Sequence, residues 1–93
     1  MTGNARLKVP GGKMIEAEVE LEGKLIRYVR ITGDFYFHPE EELEELEETL
    51  KGAPIHALYE LVEKFLKEKK VTLVGIDAKD IVKVILNAAG QRD

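Results

Sequence analysis

The chain has 93 residues, 44% of them hydrophobic, and a net charge of −4 with both signs interspersed. That length fits one domain with one modest core, and that composition fits neither a disordered tail nor a nucleic-acid binder, which needs a basic face. With no cysteine, disulfides, thiolate metal sites, cysteine nucleophiles and persulfide carriage are excluded.

In chain order, residues 1–6 read as a frayed, flexible start, followed by a short extended piece at Leu7-Lys8-Val9 that could add a third strand to the hairpin read below. Pro10-Gly11-Gly12 is a strong turn signal. Residues 14–21 alternate as a half-buried strand does, with Ile15, Ala17, Val19 and Leu21 on one face and Glu16, Glu18 and Glu20 on the other. Glu22-Gly23-Lys24 is a hairpin connection. The return strand, residues 25–32, carries Leu25, Val29 and Ile31 on its apolar face. A three-residue loop pairs Leu21 with Leu25, Ala17 with Val29 and Ile15 with Ile31, and sets Glu16 opposite Arg30. A two-residue loop, with a slipped register, is the competing arrangement.

The chain changes from strand to helix through Gly33-Asp34-Phe35-Tyr36-Phe37-His38. Residues 39–51 then follow a helical period, with Pro39 at the first position and glutamates against the positive end of the helix dipole. Gly52 supplies the stop. The seven glutamates of residues 40–48 read as a solvated helix face rather than a cation cage, because nothing in the spacing fixes their geometry. Pro54 opens a second helix with a buried stripe of Ile55, Leu58, Leu61, Val62, Phe65 and Leu66. Residues 71–76 form an extended apolar link broken by Gly75. Asp77 and Asp80 then have the spacing of a capping pair that starts a third helix, ended by Gly90. Apolar residues cover more than one stripe of that helix, so it is either deeply buried or offers a second face to a partner.

No run of about 18 apolar residues exists, so no helix is expected to cross a membrane. The first residues lack a signal-peptide core, and the protein reads as cytoplasmic. Glu and Lys dominate the 34% of charged residues, with no serine and one glutamine, a composition seen in proteins from very hot environments. Constellations for chemistry are scarce. His38 and His56 stand apart, and neither has a second metal ligand at useful spacing. Pro10-Gly11-Gly12-Lys13 lacks the spacing of a phosphate loop and leads into a strand rather than a helix. The residues themselves describe a small α+β domain with no self-contained active site.

Four stretches together carry a resemblance. They are Lys8-Val9-Pro10-Gly11-Gly12-Lys13-Met14-Ile15; Val29-Arg30-Ile31-Thr32-Gly33-Asp34-Phe35-Tyr36-Phe37-His38-Pro39-Glu40; Leu46-Glu47-Glu48-Thr49-Leu50-Lys51-Gly52; and Val74-Gly75-Ile76. Their order and spacing resemble the C-terminal accessory domain of lipoate–protein ligases over nearly the whole chain. Tyr36 stands where the family often has a second Phe, and Met14 where it often has Leu, both conservative departures. The resemblance implies a small antiparallel sheet with three helices packed on it, akin to iron–sulfur scaffold and sulfur-acceptor proteins, whose cysteine chemistry this chain lacks. It implies a non-catalytic small subunit, as in the archaeal two-component arrangement, that forms a heterodimer with a large catalytic subunit. That subunit would bind lipoate, ATP and Mg, none of them held by the small chain alone. Lipoyl-acceptor domains would be indirect partners, and the small subunit would be needed for making lipoyl-AMP. The competing expectation is a self-assembling interaction module built on the third helix.

The hairpin also predicts where a partner would be met. It brings the Gly11-Gly12-Lys13 turn and the Gly33-Asp34-Phe35 corner to one end of the sheet. There, low side-chain bulk permits close backbone approach, and Lys13 and Asp34 offer one charge of each sign; the competing reading is that Asp34 caps its own turn and Lys13 is solvated.

Overall fold

A computed structural model describes residues 2–90. Three strands, β1 (Thr2–Lys8), β2 (Met14–Glu22) and β3 (Leu25–Gly33), form an antiparallel sheet in the order β1-β2-β3. Two short strands, β4 (Tyr36–His38) and β5 (Thr72–Val74), pair separately. The helices are α1 (Glu41–Leu50), α2 (Leu58–Glu68), entered through a 3-10 turn at Ile55–Ala57, and α3 (Ala78–Ala88).

The alternation in β2 sets the layering. Ile15, Ala17 and Val19 are buried, while Glu16, Glu18 and Glu20 lie on the wetter face. α3 packs on β1 and β2, α1 on β3, and α2 closes over both helices. Ile15, Leu46, Val62, Ile81, Val84 and Ile85 have no exposed surface, so all these elements share one core. Burying one such side chain contributes about 1.5–3 kcal/mol. Asp77 Oδ1 accepts from the Asp80 amide and Asp80 Oδ2 from the Asp77 amide, each at 3.0 Å, which is the capping pair expected at the start of α3.

The structure corrects three expectations. Residues 2–6 do not fray but pair along β2, from Thr2 opposite Glu20 to Arg6 opposite Glu16; Met1 lies outside the described residues. The inward positions of β1 include Gly3 and Ala5, too small to register as an alternation. A Cβ on Gly3 would collide with the Ala88 carbonyl, so α3 sits directly on that glycine.

The hairpin register also differs. Ala17 faces Ile31, Val19 faces Val29 and Glu18 faces Arg30, two residues on from the expected pairing. The connection has two residues, with Glu22 opposite Leu25, and the register shifts between Glu20 and Leu21. That bulge lets Ile26 and Val29, three apart, both point inward. Leu25 therefore leaves the core face, 47% exposed, and Ile26 takes its place.

Third, one of the α1 glutamates is not simply solvated. The Ile31 N–H donates to Glu47 Oε2 at 2.7 Å across the outer side of β3. Further along that edge, Ile26 donates to the Ala53 carbonyl (2.8 Å) and accepts from Gly52 (2.6 Å).

Candidate functional site

At the far end of the hairpin, the β1–β2 turn closes on itself. Val9 donates to the Lys13 carbonyl at 2.8 Å and Gly12 to the Val9 carbonyl at 3.0 Å. Gly11 and Gly12 both have φ near +105°, which side-chain-bearing residues rarely adopt. The Gly12 N–H is thus engaged within the turn, and the turn feeds a strand. It lacks the helix N-terminus with which a phosphate loop holds a nucleotide.

Directly beside it, β3 ends at Gly33. The Asp34 N–H donates to the Met14 carbonyl at 3.1 Å, and the Met14 N–H donates to Asp34 Oδ1 at 2.6 Å. A Cβ on Gly33 would run into that Met14 carbonyl and the Phe35 ring. Because Met14 follows the Gly11-Gly12-Lys13 turn directly, that turn and the Gly33-Asp34-Phe35 corner come to the same end of the sheet. All residues of the turn and the corner are exposed except the half-buried Phe35.

A third segment, read from the sequence only as an extended link broken by Gly75, joins them. Gly75, with φ +94°, follows β5, and the Lys13 side chain lies across it so closely that a Cβ would meet Cγ. Next to this, β4 and β5 turn an apolar pair outward. Tyr36 is paired with Val74, and the two are 51% and 55% exposed. The His38 ring stacks on Tyr36 with centroids 5.9 Å apart and planes 12° apart. The alternation Phe35-Tyr36-Phe37, with Phe37 buried, was the available signal for Tyr36 pointing out. His56 sits elsewhere, exposed in the 3-10 turn.

Lys13 forms no ion pair among the described residues, whose three such pairs are Arg6–Glu16, Arg27–Glu20 and Lys51–Glu48. No group of three His, Cys, Asp or Glu side chains is placed to hold a metal ion among those residues. What the corner offers is a shaped, partly apolar surface with a free ammonium group.

The fold is that of a small α+β domain. The chain belongs to the family described as Bacterial lipoate protein ligase C-terminus, whose model matches residues 3–85. It is 26% identical over 72 residues to lipoate-protein ligase A subunit 2 of Thermoplasma acidophilum, covering 77% of this chain and 76% of that protein. It is also similar to a chain in the solved structure of an archaeal lipoylation system, a bipartite lipoate protein ligase and its E2 lipoyl domain from the same organism. That match has a TM-score of 0.82 at 25% identity and covers 90% of this chain and 93% of the other. No described helix is long and apolar enough to cross a membrane.

Proposed function

We propose that this chain is the non-catalytic small subunit of a two-component lipoate–protein ligase. It acts with a large catalytic subunit, as a heterodimer, in the ATP-dependent activation of lipoate to lipoyl-AMP. The observation that carries this reading is the near end-to-end match in fold to a chain of a bipartite ligase. Lipoate, ATP and Mg belong to the large subunit, and lipoyl-acceptor domains are met through it. The small chain contributes a rigid surface that orders the large subunit's loops and excludes water from the adenylating site. Gly11, Gly12, Lys13, Gly33, Asp34 and Phe35 form the edge that meets the partner. Their glycines let backbones approach closely, and Lys13 supplies orientation.

The alternative reading is a self-assembling interaction module built on α3; Ile81, Val84 and Ile85 are enclosed in this domain's own core and are not offered to a second copy.

The test uses Lys13→Met, which keeps the aliphatic stem over Gly75 and removes the charge. Both half-reactions are assayed with the large subunit. Adenylate formation is expected to fall roughly tenfold, while transfer from preformed lipoyl-AMP is largely spared. Full adenylation activity would move the contact away from this corner.

A further inference from the structure

The three-stranded sheet has two edges, and they differ. The β3 edge is engaged at Ile31 by Glu47 and at Ile26 by Gly52 and Ala53. In an antiparallel ladder, opposed residues alternate between hydrogen-bonded and non-hydrogen-bonded pairs, so the Ile31–Glu47 bond fixes the phase of the sheet. Ile31 donates away from β2; its partner Ala17 therefore faces β1, and Ala5, opposite Ala17, faces β2. The backbone groups of Thr2, Asn4, Arg6 and Lys8 point outward. Among the described residues no hydrogen bond closes them.

Alongside this open edge runs a groove of about 820 Å³ between β1, α2 and α3. Val82 and Leu86 give it an apolar wall, and Tyr59 stands over it, 43% exposed. Its charged members are Arg6, Lys79 and Lys83, with no carboxylate among the lining residues. Arg6 also reaches Glu16, at 3.3 Å on the exposed face of the sheet. With Arg6 paired, Lys79 and Lys83 leave a local surplus of positive charge in a chain of net charge −4.

We infer that β1 receives an added strand: an extended segment of the catalytic subunit, rich in apolar and acidic residues, docks along this edge. The inference rests on the two-subunit reading. Main-chain hydrogen bonds to Asn4, Arg6 and Lys8 supply the ladder, apolar side chains cover Val82, Leu86 and Tyr59, and carboxylates reach the lysines. A second copy of this chain is a poor occupant. Pairing β1 with itself gathers Arg6 and Lys8 of both copies along one edge, where like charges are destabilising. The edge is also continuous with the proposed contact corner, because Lys8 is paired with Met14.

The test is made on the complex with the cognate catalytic subunit. Amide exchange at Asn4, Arg6 and Lys8 is compared in the free chain and in the complex, with about tenfold or greater slowing expected on binding. Asn4→Pro removes one outward N–H without changing charge or the β1–β2 ladder, and Lys79→Glu with Lys83→Glu inverts the groove. Each is expected to weaken subunit affinity about tenfold, with Asn4→Ala, which keeps the N–H, losing much less. Should Asn4→Pro fail to fold, the exchange data and the lysine variant still decide. A complex in which the three amides exchange as in the free chain and the lysine variant binds as the parent overturns the inference alone. So does self-association of that variant with unchanged heterodimer affinity, because the cations would then merely guard the edge. Failure to form any complex overturns the two-subunit reading and this inference with it.

Discussion

Asp34 ties two segments twenty residues apart in sequence, with its amide and its carboxylate both engaged by Met14. Asp34→Ala removes the acceptor for the Met14 N–H and is expected to lower stability by about 1–2 kcal/mol, as for a hydrogen bond to a charged group near the surface. Asp34→Asn keeps an oxygen in place and should lose less than half of that. Denaturant midpoints of the two variants check this; an unchanged midpoint for Asp34→Ala would release the carboxylate from its structural task and leave it free for a partner. The comparison matters for activity assays too. A loss seen in Asp34→Ala mixes scaffold and charge, whereas Asp34→Asn separates them. Sequence could place Asp34 at a corner but not name Met14 as its partner, since that depends on the register of the whole hairpin.

At the scale of the element, the apolar stripe of α2 faces inward at Leu58, Val62 and Phe65. Val62→Ala or Phe65→Ala is expected to cost roughly 2–5 kcal/mol, the transfer loss plus an unfilled cavity. Thermal or denaturant melts of both variants are the measurement, and parental midpoints for both would put the stripe on the wrong side. The helices were legible because a 3.6-residue period persists over ten or more positions, and α3 carried its own capping pair. The hairpin was legible as a pair of strands but not in register. A bulge that moves Ile26 into the core and Leu25 out of it leaves no mark in composition. β1 was legible only at its Leu7-Lys8 end, because Gly3 and Ala5 fill inward positions where size, not hydrophobicity, is what α3 demands. β4 and β5, three residues each, are too short to show a period, so the Tyr36–Val74 pair and the contact of Gly75 with Lys13 emerged from tertiary structure alone. The glycine turn and corner were readable by contrast, since backbone geometry dictates those residues locally.

For the whole molecule, calorimetric titration of the isolated chain with Mg-ATP and lipoate is expected to give no binding heat, because the proposed function assigns both ligands to the large subunit. A micromolar event would overturn the accessory-subunit reading. The close seating of Ala88 on Gly3 has a consequence for how such a molecule can be joined to another. β1 begins there and reaches the Met14–Asp34 corner at its other end, so both the first strand and the last helix meet on the side of the sheet away from that corner. A covalent tether attached next to either residue leaves the corner unobstructed. Joining the two halves as one polypeptide would replace a concentration-dependent encounter by an intramolecular one, with an effective concentration of order millimolar for a short flexible linker. The same geometry therefore suits a domain that works either as a separate chain, sensitive to dilution, or as an appended one that dilution cannot dissociate.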